Sequence, residues 1–243
     1  MKFYSVGSGQ INVIFLHGWG AGKDSFVWMK DYLEDMRLHF ASLDGFDGTP
    51  PPKDATIAGY TAQLKQYIYD KKLKNIVLVG HSFGGRIAIE YCSKNDILRL
   101  ILVDSAGIKP KFSFKKAVAV LKYKMTKKLV KMKLAKSSML TKFGSSDYKS
   151  ASAEMKKVFL SAISYDQTKL LAKINTPTLI VWGKHDAETP MYMAKKLNKK
   201  IKNSELVTLD GGHFSFLDEP YKFYRIVSYF IKTKVGEKYE YDL

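Results

Sequence analysis

The sequence has little cysteine, no long apolar run and no visible targeting segment, and each of these shortages excludes a class of protein. A single cysteine, Cys92, cannot form an intramolecular disulfide, and we expect it to be a small buried hydrophobe on a helix. No stretch approaches the roughly 20 apolar residues that cross a bilayer. Residues 1–9 contain one lysine and no apolar run, so neither a secretory signal nor a transit peptide is indicated. Together these features predict a cytoplasmic protein with no transmembrane segment.

The remaining composition is that of an ordinary globular protein. The 243 residues include 46% hydrophobic and 26% charged side chains and seven prolines, which argues against a disordered or fibrous chain. This length is within the range of a single α/β domain and allows a large buried core. We therefore expect one folded domain.

The net charge of +17 is concentrated in one middle segment. Residues 108–173 contain 17 lysines, no arginine and three acidic residues, for a net charge of +14, so the remaining residues carry +3. The simplest interpretation is a solvated lysine-rich surface. The alternatives are attraction of anionic substrates, such as acyl groups on an acidic carrier protein, or contact with an anionic membrane surface. Nucleic-acid binding is not expected, because no nucleic-acid-binding module accompanies the charge.

Outside this segment, short apolar runs alternate with longer helical patterns, which is typical of a mostly parallel sheet covered by helices on both faces. The predicted strands are residues 11–16, 40–43, 76–79, 100–103, 178–182 and 205–209, with 2–6 as a weaker antiparallel edge strand. The predicted helices are residues 24–36, 57–71, 85–93, 191–200 and 221–232. The predicted fold class is therefore α/β.

The lysine-rich segment interrupts this alternation after the fourth strong strand, and the strand pattern resumes after Pro177. We therefore predict a core formed by residues 1–107 and 174–243, with residues 108–173 inserted as a helical cap. Within the cap, apolar side chains recur at helical spacing and predict an amphipathic helix. These side chains are Val118, Leu121, Met125, Leu129 and Met132.

A strand-like run leads directly into a G-x-S-x-G pattern at residues 80–84, and a helical pattern follows it. A serine at such a sharp strand-to-helix turn requires small neighbours, here Gly80 and Gly84, so that its hydroxyl is exposed. The N-terminus of the next helix directs free N–H groups toward a developing oxyanion. A glycine-rich turn is the alternative for the pentapeptide alone, but the flanking strand and helix favour Ser82 as a nucleophile.

A serine hydroxyl needs a base to remove its proton, and His213 is the best candidate among the five histidines. It follows the last predicted strand, where a loop at the carboxyl edge of the sheet would reach the same crevice as Ser82. The other four are expected to have structural or surface positions: His17, His39, His81 and His185.

The base in turn needs an acid that orients it, and Asp186 lies just beyond the end of a predicted strand. The chain order Ser82, Asp186, His213 is the order expected for a nucleophile at such a turn. Asp104, which follows another predicted strand, is the second candidate for the acid. Glu188 is a weaker local alternative.

Two backbone N–H groups are candidates for stabilising negative charge in the transition state. One belongs to Phe83, directly after Ser82, and the other to Trp19 in the H-G-W-G loop at residues 17–20. The loss of one such donor costs on the order of 3 kcal/mol in other enzymes. On its own the H-G-W-G loop would be only a tight turn. Its position one strand-and-loop unit upstream of Ser82 favours a role in an oxyanion hole.

Four motifs together resemble the α/β-hydrolase family: H-G-W-G at residues 17–20, G-H-S-F-G-G at 80–85, W-G-K-H-D at 182–186 and G-G-H at 211–213. The resemblance covers nearly the whole chain. It implies a mostly parallel sheet, a helical cap inserted after the sixth strand of the family's fold, and no cofactor or metal. The motifs are most similar to those of small bacterial carboxylesterases and carrier-protein methyl esterases. The family also includes hydrolases of carbon–carbon bonds.

Three departures from the family's pattern limit what carries over to this chain. The D-x-P-G-x-G turn of the family is S-L-D-G-F-D-G at residues 42–48, which predicts a differently shaped pocket. Residues 108–173 contain no arginine, whereas carbon–carbon hydrolases that recognise acids often have one there. A serine rather than an aspartate at position 82 disfavours a dehalogenase.

The sequence thus predicts a serine hydrolase that cleaves small-molecule carboxylic esters through an acyl-enzyme on Ser82. A carbon–carbon or thioester hydrolase of the same fold is the alternative reaction. A non-catalytic ligand-binding protein with this fold is the alternative of another class. The presence of Ser82, Asp186 and His213 argues against it, since function is carried by the site rather than by the fold.

Overall fold

Seven strands form one sheet in the part of the chain that the structure describes. In this computed structural model, the described residues are 1–110, 114–132, 136, 139 and 145–233. The strands are β1 (Lys2–Val6), β2 (Asn12–Leu16), β3 (Arg37–Ser42), β4 (Ile76–His81), β5 (Arg99–Val103), β6 (Thr178–Gly183) and β7 (Ser204–Leu209). Their order is β1-β3-β2-β4-β5-β6-β7, with β1 antiparallel to β3 and the other neighbours parallel. The predicted α/β fold and its antiparallel edge strand are confirmed.

The direction in which strands are added reverses between β2 and β4. The chain places β3 on one side of β2 and then returns to place β4 on the other side. In open α/β sheets, a crevice forms at such a reversal, at the carboxyl ends of the strands. Leu16, the last residue of β2, is paired with Gly80 of β4. The H-G-W-G and G-x-S-x-G motifs therefore begin side by side at this crevice.

Successive residues of the central strands face opposite sides of the sheet and belong to two hydrophobic clusters. In β2, Ile14 and Leu16 pack in one cluster, whereas Val13 and Phe15 pack in the other. Both faces are covered by helices, which is why these strands are continuous apolar runs in the sequence. Cys92 is buried in the first cluster, and its predicted position on a helix is confirmed.

The predicted helices are present, apart from the extent of the first helix, and α5, α6 and α8 have no individually predicted counterpart. They are α1 (Asp24–Val27), α2 (Ile57–Asp70), α3 (Phe83–Cys92), α4 (Phe114–Lys131), α5 (Ser146–Ser150), α6 (Ala153–Ser164), α7 (Tyr192–Lys200), α8 (Ser215–Asp218) and α9 (Pro220–Lys232). The hydroxyl of Thr56 accepts a hydrogen bond from the Gly59 N–H at 3.2 Å, which caps the start of α2. Pro220 occupies the first turn of α9, where a proline removes no intrahelical hydrogen bond.

The predicted helix over residues 24–36 is wrong in extent. The structure has the short α1 and then a 3₁₀ turn at Trp28–Asp31, after which the chain turns toward β3. The apolar side chains of this stretch recur at helical spacing and are all buried: Phe26, Met29, Leu33 and Met36. Short successive turns bury the same side chains as a continuous helix would, so the spacing does not distinguish the two.

β3 begins three residues before the predicted strand at residues 40–43. His39 lies inside the strand, and its ring is 2.9 Å from both Ser5 Oγ and Tyr67 OH and 3.1 Å from Asn12 Oδ1. Burial lowers the pKa of His39 to about 4, so the ring is neutral at physiological pH. Because both ring nitrogens have partners, this polar side chain can be buried in a strand that the apolar pattern does not reveal.

The inserted segment contains α4, α5 and α6, between β5 and β6. Its two ends meet, because the Gln167 N–H donates to the Gly107 carbonyl at 2.9 Å. The buried Gln167 side chain also donates to the carbonyl of Arg86 in α3 at 2.8 Å, which holds the segment against the core. The insertion follows the fifth strand of this chain, which corresponds to the sixth in the family's fold. The domain bounds at residues 107 and 174 stay a prediction.

The predicted amphipathic helix is present as α4, but the apolar side of its C-terminal half is exposed. Met125, Leu129 and Met132 are 59%, 43% and 56% exposed. The other two predicted apolar positions, Val118 and Leu121, have side chains outside the described part of the structure. α4 thus presents apolar side chains to solvent together with its exposed lysines. None of the described helices is long and apolar enough to span a membrane.

Candidate active site

Ser82 lies at the turn between β4 and α3 with a backbone conformation that few residues other than glycine adopt. Its φ is +47° and its ψ is −107°, and such strain costs on the order of 1–3 kcal/mol. A Cβ on Gly80 would lie 2.8 Å from the Gly84 carbonyl oxygen, and one on Gly84 would overlap the Leu16 carbonyl oxygen. The turn therefore requires glycine at both positions, as the motif predicts.

His213 reaches Ser82 from the loop between β7 and α8. Its Nε2 atom lies 2.9 Å from Ser82 Oγ, which is a hydrogen-bond distance. The His213 side chain is only 9% exposed. His81 Nε2 donates to the backbone carbonyl of His213 at 2.7 Å, which ties this loop to the end of β4. In this geometry the serine hydroxyl can pass its proton directly to the imidazole.

Asp186, in the loop after β6, contacts the other ring nitrogen of His213. The Nδ1–H donates to Asp186 Oδ2 at 2.9 Å. The carboxylate also accepts the N–H groups of Glu188 and Thr189 at 2.8 and 2.9 Å. Burial raises the pKa of Asp186, but the hydrogen bonds from His213 and Thr189 outweigh it and leave the pKa below its usual value. An ionised Asp186 keeps the His213 proton on Nδ1 and leaves Nε2 free to accept one.

The pKa of His213 is raised above its usual value by the carboxylates around it. Burial opposes the charged imidazolium, but the Asp186 hydrogen bond and the charges of Asp186 and Glu188 favour it more strongly. Glu188 is exposed, and its Oε2 lies 3.4 Å from Nε2, the nitrogen that faces Ser82. His213 is therefore a stronger base than a free histidine, which suits proton abstraction from serine.

Asp104, the second candidate for the acid, makes no hydrogen bond to His213. Its fully buried carboxylate accepts the Gly183 N–H at 2.7 Å and the N–H and hydroxyl of Ser215 at 3.2 and 2.6 Å. Burial raises the pKa of Asp104 to about 7, because these donors only partly offset the loss of solvent. Asp104 connects the loop that carries Asp186 to the loop that carries His213, so its contacts are those of a positioning group.

Thr189 is a site residue that the sequence reasoning missed. Its hydroxyl lies 2.6 Å from Asp186 Oδ2, 3.3 Å from His213 Nδ1 and 3.1 Å from the carbonyl oxygen of Asp104. The sequence signal is weak. A threonine three residues after an aspartate can bond to the carboxylate with its hydroxyl and its N–H, but the same spacing occurs in many loops. Thr189 holds the Asp186 carboxylate in its orientation toward His213.

The two histidines inside the glycine motifs are buried and neutral. His17 Nδ1–H donates to the Gly18 carbonyl at 2.8 Å, and its Nε2 accepts the Leu43 N–H at 3.1 Å. Burial lowers the pKa of His17. Burial and the charge of His213 lower the pKa of His81 to about 3. Both rings fix the loops of the site, and neither is hydrogen bonded to a serine hydroxyl there.

The backbone N–H groups of Trp19 and Phe83 have no acceptor in the described part of the chain. The loop that carries Trp19 is held against α3, because the Gly84 N–H donates to the His17 carbonyl at 3.1 Å. The Trp19 and Phe83 rings pack edge to face with centroids 5.6 Å apart, and both residues line a cavity with Ser82. Two free donors beside a serine hydroxyl have the chemistry needed to bind an oxyanion.

The loop at residues 42–48 places an aromatic side chain beside this part of the site. The Phe46 ring is edge-on to Trp19, with centroids 4.9 Å apart. Asp44 anchors the loop, because its carboxylate pairs with the Met1 amino group at 2.5 Å and accepts from Gln63 Nε2 at 2.6 Å. Asp44, one of the two aspartates that depart from the family's pattern, thus fixes the loop that carries Phe46.

A cavity of about 340 Å³ opens beside Ser82. Its walls include apolar side chains from the inserted segment, among them Phe159 and Ile163, and Met193 from α7. Among the described residues, those with charged side chains in its lining are Arg86, Asp147 and Glu188. Apolar walls with a few polar groups near a reactive side chain are typical of a site for a small organic molecule.

No arrangement for a metal ion is found among the residues that the structure describes. A group of three or more His, Cys, Asp or Glu side chains with suitable placement is absent from them. The absence of a cofactor from the reaction stays a prediction.

Comparison with known proteins gives the family. The model of the Alpha/beta hydrolase family matches residues 13–226. The chain is 30% identical over 244 residues to the AB hydrolase superfamily protein YisY of Bacillus subtilis (strain 168), with 90% of each protein covered. It is 28% identical over 265 residues to the pimeloyl-[acyl-carrier protein] methyl ester esterase of Wigglesworthia glossinidia brevipalpis, with 93% of this chain and 96% of that protein covered.

A solved structure has the same fold. The esterase EaEST from Exiguobacterium antarcticum matches with a TM-score of 0.75 at 24% sequence identity, over 95% of both chains. At this identity the likeness shows the fold alone. Because the family match spans most of the chain and agrees with the observed sheet, this protein belongs to the alpha/beta hydrolase family and is a hydrolase enzyme of that fold.

Proposed function

We propose that the protein is a serine hydrolase that cleaves small-molecule carboxylic esters through an acyl-enzyme on Ser82. The observation that carries this proposal is the continuous chain of hydrogen bonds from Ser82 Oγ to His213 and on to Asp186, each 2.9 Å long. Ser82 and His213 line a cavity together with Trp19 and Phe83, whose backbone N–H groups have no acceptor among the described residues. Nucleophile, base, orienting acid and oxyanion donors are the four parts that acyl transfer needs.

In the first half of the reaction, Ser82 Oγ attacks the ester carbonyl carbon while His213 Nε2 takes the hydroxyl proton. The carbonyl electrons move onto oxygen, and the N–H groups of Trp19 and Phe83 hold the resulting oxyanion. Asp186 stabilises the imidazolium through its hydrogen bond to Nδ1–H. When the tetrahedral intermediate collapses, His213 returns the proton to the leaving alcohol and Ser82 remains acylated.

In the second half, a water molecule attacks the acyl carbon under the same base. His213 Nε2 takes a proton from the water, and the same two N–H groups hold the second oxyanion. Collapse of this intermediate releases the carboxylic acid, and the proton on His213 returns to Ser82 Oγ. The net reaction is ester plus water to acid plus alcohol, and the enzyme is unchanged.

Hydrolysis of p-nitrophenyl esters of graded acyl length, together with labelling by a fluorophosphonate, tests this function. We expect turnover with a preference for acyl groups that fit a cavity of about 340 Å³, and a single covalent label on Ser82. Rates are compared with the spontaneous hydrolysis of each ester. The absence of both labelling and turnover would contradict the proposal.

The exposed carboxylate of Glu188 is expected to affect the pH dependence of this reaction. His213 must be neutral to act as a base, so kcat/KM falls as the pH drops below the pKa of His213. The charge of Glu188 contributes to raising that pKa. Glu188→Gln removes the charge, and the acidic limb of the pH profile of kcat/KM should therefore move to lower pH.

The matched control for this variant is Glu34→Gln, which removes the same charge from an exposed position before β3. Its acidic limb should coincide with that of the unmodified protein. Profiles are measured at low and high salt, because screening should reduce the shift caused by Glu188→Gln. An unshifted limb, or a shift to higher pH, would contradict the role of Glu188.

We also propose that the lysine-rich segment attracts anionic substrates, and an acyl group on an acidic carrier protein is the example that can be tested. The relative from Wigglesworthia glossinidia brevipalpis is named for an ester on such a carrier. The segment has a net charge of +14, and Lys127 and Lys131 are exposed on α4. Charges of this kind raise association rates with an oppositely charged partner.

Changing Lys127 and Lys131 to glutamine tests this attraction. At low ionic strength, the ratio of kcat/KM for a carrier-linked ester to that for the free ester should fall roughly threefold. The difference should disappear at high salt. The control changes Lys71 and Lys72, exposed at the end of α2, and removes the same charge. If the ratio of the two kcat/KM values falls equally in the α4 variant and in the control variant, α4 has no specific role in the attraction.

A further inference from the structure

Arg86 is a buried arginine in the wall of the cavity that contains Ser82. It lies on α3, four residues after Ser82, and is 6% exposed. Ser82 lies at the turn that precedes α3, and both residues line the same cavity. Burial lowers the pKa of Arg86 to about 10, so it keeps its charge at neutral pH.

Within the part of the chain that the structure describes, most of the hydrogen-bonding capacity of this guanidinium is unused. Nη1 donates to the backbone carbonyl of Tyr165 at 2.8 Å, and this is the hydrogen bond that the side chain makes within the described residues. A guanidinium has five N–H donors in a planar fork. Among the described residues, the enclosed polar side-chain atoms without a partner are on Gln63, His81 and Gln167, and none is on Arg86. The remaining N–H groups of Arg86 therefore keep some exposure, and Arg86 is one of the residues that line the cavity.

The carboxylates near Arg86 are engaged with other groups. Glu90, one turn further along α3, pairs with Lys94 at 2.6 Å and accepts the Tyr165 hydroxyl at 2.6 Å. Asp166 accepts the N–H of Thr168 at 3.0 Å and its hydroxyl at 2.5 Å, and its charge partly offsets the effect of burial on the pKa of Arg86. No carboxylate of the described residues forms an ion pair with Arg86. A buried positive charge with free donors is costly unless an anion pairs with it.

We propose that Arg86 binds a carboxylate group of the substrate, so that the preferred substrates are esters that also carry one free carboxylate. This inference rests on the proposed ester hydrolysis and names its substrate class. The planar fork of a guanidinium matches a carboxylate with two parallel hydrogen bonds. Asp147 and Glu188 line the same cavity, and their negative charges disfavour a doubly charged group such as a phosphate monoester. One arginine therefore suits one carboxylate.

The position of Arg86 also sets where that carboxylate lies in the substrate. Because Arg86 and Ser82 are different lining residues of one cavity, the carboxylate and the reacting ester are expected to be joined by a chain that follows the cavity wall. Phe159, Ala162 and Ile163 of the inserted segment provide an apolar wall there. A half-ester of an aliphatic dicarboxylic acid has this pattern: an ester, an apolar chain and a terminal carboxylate.

Monomethyl and dimethyl esters of the same dicarboxylic acids, in a graded series from succinic to suberic acid, test the proposal. The two esters of each acid differ by one methyl group and one negative charge. For Arg86→Met, the ratio of kcat/KM for the monomethyl ester to kcat/KM for the dimethyl ester should fall about tenfold to about a hundredfold, the effect of losing hydrogen bonds between charged groups. Arg86→Lys keeps the charge without the fork, and the ratio should fall by an intermediate amount.

The matched control is Arg225→Met, which removes the same charge from an exposed position on α9. Its ratio should equal that of the unmodified protein. If Arg86 has only a structural role in holding Tyr165, the variant will hydrolyse both esters more slowly in proportion. An unchanged ratio in Arg86→Met, whatever the absolute rates, overturns the proposal.

A binding measurement separates this inference from the proposed reaction. In a Ser82→Ala background, calorimetry with monomethyl glutarate should show binding, and adding Arg86→Met should weaken the affinity at least about tenfold. Equal affinity in the two proteins, or no binding to either, overturns the role of Arg86. The dimethyl esters test the reaction separately, because a protein that binds the half-ester through Arg86 but hydrolyses neither ester would contradict ester hydrolysis alone.

Discussion

Replacing Ser82 with alanine is expected to lower kcat for ester hydrolysis by about 10⁴-fold to about 10⁶-fold with little change in stability. The serine oxygen forms the bond to the acyl group, and the loss of a nucleophile from such a triad has an effect of this size. Alanine keeps the Cβ atom at a φ of +47°, so the backbone strain at this position is retained. The thermal midpoint should move by no more than about 2 °C. Steady-state kinetics and a thermal unfolding curve measure the two quantities.

The control for this variant is Ser228→Ala, which removes a serine hydroxyl from α9 on the other side of the sheet. It should retain both its activity and its fluorophosphonate label. Ser82→Ala should lose the label while the cavity remains intact. Ester hydrolysis that persists in Ser82→Ala, with the label attached to another side chain, would assign the nucleophile elsewhere.

Asp186→Asn is expected to lower kcat by about 10⁴-fold, the second largest effect of a single substitution in this site. The carboxylate accepts the Nδ1–H of His213 at 2.9 Å and contributes to raising the pKa of that ring. An asparagine amide can present its NH₂ group to Nδ1 instead, which moves the ring proton to Nε2 and prevents it from accepting the serine proton. The acidic limb of the remaining activity should lie at lower pH, because the charge that raises the His213 pKa is gone.

The comparison variant is Asp104→Asn, at the other buried aspartate of the same crevice. An amide there would face the N–H groups of Gly183 and Ser215, which the carboxylate accepts in the unmodified protein. The unfolding free energy should fall by about 1–3 kcal/mol, the usual cost of a buried donor without an acceptor. The loss of kcat per folded molecule should be much smaller than for Asp186→Asn. The reverse order of the two kcat values would make Asp104 the orienting acid.

Much of the fold is predictable because its patterns are local. Six apolar runs and one weak edge strand correspond to β1 to β7, since strands buried on both faces are continuous apolar runs. The strand, turn and helix around Ser82 are contained in one short stretch of sequence. The first helix was overestimated because short turns bury Phe26, Met29, Leu33 and Met36 just as a helix would.

The candidate site was only partly predictable, because its contacts join residues that are far apart in the chain. His213 and Ser82 are separated by 131 positions, yet their loops meet at one edge of the sheet. Each of these two residues follows a predicted strand, and this position made both of them candidates for the site. It did not reveal Thr189, nor the short helix α8 that follows His213. These depend on how each loop turns after its strand ends.

By itself, the sequence determined the class of fold and made Ser82, Asp186 and His213 the leading candidates for the chemistry. Both follow from periodicity and spacing along neighbouring residues. Only the tertiary structure decided which carboxylate bonds to Nδ1 of His213, because Asp104, Asp186 and Glu188 all follow the carboxyl ends of strands. It also decided that Arg86 lines the cavity while the apolar side of α4 stays exposed. Burial of one side chain depends on which distant elements pack against it, and sequence spacing does not contain that information.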